Sequence, residues 1–334
     1  MRWPWSRDEA PLLQAYGKLP LAKDYLRIGA AEGSGRELRD WLDTTFSGSA
    51  LAGTLELPWP ARFLLAPRSG APLQGCLWPS HDDGGLRRFP FALFVERRRA
   101  VLRDALPSGG AGEAGFWEAL EERFAGRDRF VDGRALLEAW RGQEVAAIGA
   151  PPSREPAADA WLAALWPGEG VAGLRRQLAD LATSDDGRAP LRLPLTAAAP
   201  FLPQARAWGE LLARRGRLAA PERTSIVLPL ELAPGAAPPS TPALLLLRDF
   251  PSSHATAAWL APPAARPAAP PPPPAPAPAP QSSSRKRKGG LPPPPPPPPP
   301  ADPRLFPTAE APLATALEAR LVAVAPGAAS AGQG

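Results

Sequence analysis

Proline sets the outer limit on what this chain can fold into. The chain has 49 prolines, and its densest runs come late: residues 262–307 are Pro-Ala-rich with few large apolar side chains. Such a stretch cannot bury enough surface to offset chain entropy, so disorder is expected there. The blocks at 270–280 and 292–300 should sample polyproline II and act as semi-rigid spacers. Roughly 250 residues remain for a folded body, ample for a hydrophobic core.

Charge follows the same division. The net charge is +5, and Arg285, Lys286, Arg287 and Lys288 contribute four of those charges from within the Pro-rich stretch. The body is therefore close to neutral and carries no polyanion footprint, so nucleic acid is not expected as its partner. A lone cysteine, Cys76, excludes an intrachain disulfide. No apolar run reaches the length of a membrane span, and the charged start of the chain lacks the apolar core of a signal peptide. A cytoplasmic protein is the expectation.

Within the body, periodicity places the elements. Residues 12–16 suit a short strand ending at Gly17. Over 35–47, Leu38, Trp41, Leu42, Thr45 and Phe46 share one helical face. Strand-like runs follow at 62–66, 75–78 and 89–95, each bounded by Pro or Gly. Next come a helix near 113–125, striped by Phe116, Trp117, Leu120 and Phe124, and another near 133–141. Residues 149–157 mark a boundary or long loop. Beyond it the pattern predicts helices near 158–166, 170–182 and 203–214 and strands at 191–195, 225–232 and 243–248. The last, with its continuous leucines, reads as covered on both faces. The loose alternation favours an α/β fold: a central mixed sheet with flanking helices, in layers. The expected divisions are 10–150, 151–261, the disordered linker 262–307, a short helix at 308–324 and a disordered end at 325–334. That helix carries Leu313, Leu317 and Leu321 four apart, with Thr308 as N-cap and Pro312 in its first turn; it is too short to stand alone.

Two segments stand out chemically. Both tyrosines and two of the four lysines lie in Tyr16–Tyr25, although the composition otherwise favours Arg. Arg and Lys are physically different cations, so two retained lysines beside a Gly-Pro turn point to a site that depends on shape. Gly17-Lys18 is not a phosphate loop: no upstream Gly stands at Walker spacing, no Ser or Thr follows, and Pro20 removes a donor. The window reads either as a corner pinning the first strand or as a partner-facing surface, with Lys18, Lys23, Asp24 and Tyr25 as its candidates. The second segment, Gly75–Phe91, reads as strand, polar turn and strand, a hairpin with a long loop. In it His81, Asp82, Arg87 and Arg88 are candidates, like the four residues above, for partner binding or loop organisation; the Arg pair is either solvated or, as favoured, supplies an Arg that locks the loop by bidentate pairing to Asp82 or Asp83.

Catalytic constellations are sparse. The two histidines, His81 and His254, share no sequence context, and neither HExxH nor CxxC occurs. No cofactor or metal is expected. A hydrolase using His81 with Asp82 or Asp83 is the enzymatic alternative, against the reading of a polar turn. A third reading gives function to the tail, as a Pro-rich ligand for an aromatic groove with the basic run as an electrostatic anchor.

At these two segments the chain resembles the TagF (ImpM) family of type VI secretion accessory proteins. The family's Gly-Lys-Leu-Pro-x-x-Gly-Asp-Phe pattern stands here as Gly17-Lys18-Leu19-Pro20-Leu21-Ala22-Lys23-Asp24-Tyr25. Its second element, a strand followed by Gly-x-x-x-Pro-Ser-x-Asp and Gly-Arg-x-Phe-Pro-Leu, has counterparts in Ala61–Pro67 and in Gly75, Pro79, Ser80, Asp82, Gly85, Arg87, Arg88, Phe89 and Pro90. The resemblance covers about residues 12–150. Lys23 replaces Gly, Tyr25 replaces Phe, Phe91 stands where Leu is common, and the polar loop is one residue longer. The Lys23 replacement is expected to alter the loop backbone, since Gly alone moves freely at positive φ. The resemblance implies an α/β domain over 10–150 and a non-enzymatic regulator, a post-translational repressor of type VI secretion. Its implied partner is a forkhead-associated scaffold protein or another component of that system. Under this reading the two segments lie side by side on one sheet.

Overall fold

The structure, a computed structural model, describes residues 10–47, 57, 59–68, 70–98, 101, 111–147, 155–183, 191–216, 223–229, 242–248, 250–251 and 312–323. One compact unit comprises residues 1–262 and 311–334; the second, 263–310, lies wholly outside the described residues. The expected linker disorder, the Thr308 cap, the basic run, His254 and the end at 325–334 therefore also fall outside them.

In chain order the elements are β1 (Gln14–Gly17), β2 (Leu26–Ile28), α1 (Gly33–Phe46), β3 (Ala61–Leu65), β4 (Leu73–Trp78), β5 (Phe91–Glu96) and α2 (Ala111–Ala125). A 3-10 turn (Gly126–Arg129) leads into α3 (Gly133–Trp140). Then come α4 (Ala158–Leu165), α5 (Val171–Thr183), β6 (Leu191–Pro194), α6 (Phe201–Arg214), β7 (Thr224–Pro229), β8 (Ala243–Arg248) and α7 (Leu313–Ala323). The strands make one sheet in the order β2-β1-β5-β4-β3-β7-β8-β6. The central sheet with flanking helices is as expected. Its pairings are all antiparallel, so the parallel component of the expected mixed sheet is absent among the described residues.

The sheet separates two apolar layers, and strand periodicity assigns side chains to each. Phe91, Leu93 and Val95 of β5 face the larger layer with α2–α7, while Ala92 and Phe94 face the smaller layer with α1. In β8, Leu244 and Leu246 join the first layer and Leu245 and Leu247 the second, which accounts for its unbroken apolar sequence. Helix α1 offers Leu38, Trp41, Leu42 and Phe46 to the sheet, the face its spacing predicts.

Buried polar groups hold the helices in register. Trp117 of α2 donates its indole N–H to the carbonyls of Phe63 and Gly75, which are opposite one another in β3 and β4. Arg62 forms a two-pronged pair with Glu121 at 2.6 and 3.0 Å. Cys76 lies under this pair, where burial and then the Glu121 charge push its thiol well up in pKa, leaving a structural rather than reactive cysteine. Gln204 of α6 is fully buried: its amide N donates to the carbonyls of Thr196, Ala199 and Pro200, and its oxygen accepts from Thr196 N and Trp161 Nε1.

Helix α7 differs from its expectation. It begins after Pro312 rather than enclosing it, because the Leu313 N–H is bonded to the Glu155 carboxylate at 2.6 Å. Its Leu313, Leu317 and Leu321 are buried in the larger layer. The body thus supplies the order that so short a helix lacks alone.

Candidate functional site

Three short elements meet at one end of the sheet. Gly17 closes β1 opposite Phe91 of β5. Its φ is +136°, and a Cβ there would stand 2.1 Å from the Pro90 carbonyl oxygen. Only glycine permits that approach, so it fixes how the segment after Gly17 passes the loop 79–90. That segment returns through β2 to pair with β1. The loop meets it directly: Asp83 N–H donates to the Ala22 carbonyl.

Asp82 organises the contact. It is 3% exposed, and its carboxylate accepts from Arg87 Nε at 2.6 Å and from the Leu86 and Arg87 backbone N–H groups at 3.1 and 3.2 Å. The Arg87 side-chain bond, with those backbone donors, holds the Asp82 carboxyl below the usual carboxylate range. The second Arg87 prong, Nη2, donates to the Lys23 carbonyl at 2.6 Å. The expected lock by Arg is therefore present, but it is not bidentate: one guanidinium spans two chain segments. A backbone carbonyl lay within reach, and dividing the fork satisfies both acceptors.

Lys18 stands behind this lock. At 2% exposure it is buried, which places it on the loop-organising side of the two roles the sequence left open. Its Nζ donates to the Lys23 carbonyl at 3.3 Å, lies 3.9 Å from Asp82 Oδ2 and sits 4.5 Å from the centre of the Tyr25 ring. Tyr25 stacks on Tyr16 at 5.4 Å, and Phe89 meets both rings edge-on. Tyr16 donates its hydroxyl to Asp43 of α1 at 2.8 Å; burial, then that bond, pushes its pKa up. Two tyrosines, a phenylalanine and a compact ammonium thus make one packed corner, a setting that suits Lys over the wider Arg.

Lys23 stands where the family pattern has Gly. Its φ is not positive, since Ala30 alone among the described non-glycine residues has that geometry. Its contribution is the carbonyl shared by Lys18 and Arg87, which any residue would supply. The Lys23 and Asp24 side chains are exposed, as are His81, Arg87 and Arg88; Asp24 acts on Arg87 through its charge. His81 Nδ1 faces the Asp82 backbone carbonyl at 2.7 Å while the Asp82 carboxylate faces Arg87. The two therefore do not form a His-carboxylate dyad. His81 and Arg88 pair through their backbones and, with Ser80, Phe89 and Leu57, line a shallow depression. Among the described residues no three His, Cys, Asp or Glu side chains converge as metal ligands, and no helix is long and apolar enough to cross a membrane.

One surface residue escaped the sequence reading. Leu86 is 89% exposed at the tip of the locked loop. It stands between Gly85 and Arg87, which the family pattern places side by side, so the one-residue extension was its signal.

Residues 14–126 match the family described as the TagF N-terminal domain, type VI secretion system-associated. That span holds both segments of this corner. A search of curated proteins finds no match. Among solved structures, a crystal structure of PA0076 from Pseudomonas aeruginosa PAO1 is similar at 17% identity, covering 74% of this chain and 93% of that one, with a TM-score of 0.38.

Proposed function

We propose, from the premise that residues 14–126 are a TagF N-terminal domain, that this chain is a non-enzymatic, cytoplasmic regulator of the type VI secretion system. It acts after translation, as a repressor, by binding a forkhead-associated scaffold protein. The observation that carries the reading is the joining of the two signature segments by Arg87, Asp82 and the Lys23 carbonyl into one fixed corner. Loops held on a rigid scaffold lose little freedom on binding, which favours recognition.

Roles within the corner divide by exposure. Lys18 and Asp82 are buried and organise the loop. Lys23, Asp24, Tyr25, His81, Arg87, Arg88 and the protruding Leu86 are exposed and offer the contact. Catalysis by His81 with Asp82 gains no support, because the Asp82 carboxylate is committed to Arg87 and two backbone donors.

The test is a pull-down of the full chain with the forkhead-associated protein of the same organism. Wild type should retain it, and a Leu86→Asp/Arg88→Glu variant should bind at least about tenfold more weakly with an unchanged melting temperature. No retention by well-folded wild type, with secretion unchanged on deletion and overexpression, would sink the proposal.

A further inference from the structure

The depression beside the loop 79–90 has a fixed shape and a divided surface. Its volume is about 250 Å³, below the range of sites that hold cofactors or drug-sized ligands, roughly 300–1,000 Å³. That size suits a single side chain. Leu57, Pro79, Phe89 and Pro90 give it apolar walls, and Leu57 and Phe89 are themselves buried in the smaller layer. The Phe89 N–H donates to the Ser80 carbonyl at 3.0 Å, the Asp82 N–H donates to the Arg87 carbonyl at 3.2 Å, and His81 bridges to Arg88 between them. The two sides of the depression are thus tied together before anything enters, which spares a ligand the cost of ordering them.

His81 supplies the polar edge. Its Nδ1 lies 2.7 Å from the Asp82 carbonyl oxygen. A carbonyl only accepts, so Nδ1 carries the proton, and the neutral ring keeps its lone pair on Nε2. Among the described residues no partner reaches Nε2, which lies on the ring edge away from that carbonyl. The depression therefore calls for a hydrogen-bond donor on an apolar body. Arg88 lines the same space, and a guanidinium favours an aromatic face, that of tryptophan most of all. The indole N–H is a donor and no acceptor. Leucine would leave Nε2 unpaired, and a cationic donor would stand beside Arg88.

We propose that this depression is the anchor site for one tryptophan side chain of the protein that the corner binds. The indole lies against Phe89 and the two prolines and donates its N–H to His81 Nε2. The inference rests on the reading of the corner as a protein-binding surface and gives His81 a role in recognition. A single aromatic anchor in a preformed pocket commonly carries much of the energy of an interface.

The experiment titrates the full chain with N-acetyl-tryptophanamide and follows it by NMR. The Kd should be on the order of 1 mM, with shifts in the amides of Ser80, His81 and Phe89. The counterpart methylated on the indole nitrogen should bind about fivefold more weakly, and N-acetyl-leucinamide more weakly still. The ring nitrogens of His81 should show the proton on Nδ1 and an Nε2 signal that moves as the probe is added. Ser80→Trp, which fills the depression with an indole of its own, should melt like wild type and take up no probe. His81→Phe should bind the two tryptophan probes equally. Equal binding of those probes by wild type, a proton on Nε2 in the free protein, or uptake of the leucine probe as tight as that of tryptophan would overturn the proposal. The titration needs no partner, so it separates the two readings. In the pull-down, Ser80→Trp should retain the forkhead-associated protein at least about tenfold more weakly; undiminished retention would overturn the anchor alone. Probe binding as expected, with nothing retained by wild type, would support the indole site and remove the regulator reading.

Discussion

Gly17 and Asp82 show how single residues decide the geometry of the corner. A methyl group at Gly17 would overlap the Pro90 carbonyl and adopt a φ that L-residues rarely hold. Gly17→Ala should therefore cost roughly 3 kcal/mol, read by urea denaturation; a loss below about 0.5 kcal/mol would mean that β1 and the loop move apart freely. Asp82 has a lowered carboxyl pKa in the folded protein, so its contribution to stability is complete above the ordinary aspartate range near 4 and declines as pH falls through it. Asp82→Asn should melt below wild type at pH 7, and the gap should narrow as pH falls below about 4. A gap independent of pH would assign the effect to packing rather than charge. An Arg–Asp lock was legible in the sequence, because Asp82, Asp83, Arg87 and Arg88 lie in one short loop between strands, but the choice of Asp82 and Arg87 was not. The burial of Lys18 was not. A lysine reads as a surface residue, and only the folded chain brings the Lys23 carbonyl, the Tyr25 ring and Asp82 around it.

At the scale of elements, local pattern and long-range pairing part company. The runs forming β3, β4, β5 and β8 and the helical stripes of α1 and α2 are set by neighbours along the chain, so periodicity finds them. Strand β2 offers only Leu26, Arg27 and Ile28, too short a run to show alternation, and it exists because β1 gives it a partner. The place of β7 beside β3 likewise has no local signature, since it joins residues far apart in sequence. Helix α2 is fixed to this sheet by a charge pair that is testable as such. Glu121→Ala leaves Arg62 with its guanidinium largely buried and should cost about 3 kcal/mol. Replacing both residues, as Arg62→Met with Glu121→Leu, should recover most of that loss in chemical denaturation. Equal destabilisation by the single and double variants would mean that packing, not the ion pair, anchors the helix.

Over the molecule as a whole, the sheet is the common support. Strand β3 pairs with β4 on one side and β7 on the other, so the family-matched span and the later strands share one hydrogen-bonded ladder. Amide exchange in β4 and β7 should then converge on one opening free energy as denaturant is raised. Exchange in β7, β8 and β6 through a separate, cheaper opening would divide the sheet into two folding units. The return of α7 to the body has another consequence, in polymer terms. Residues 252–311 connect Pro251 to Pro312, two points on the same unit, and so form a closure rather than a tail. The entropy of closing a chain segment on itself grows only with the logarithm of its length. Doubling that connection would cost about 0.6 kcal/mol. The length of that stretch can therefore drift in sequence with little effect on stability, while α4, α5 and α6 hold α7 in place.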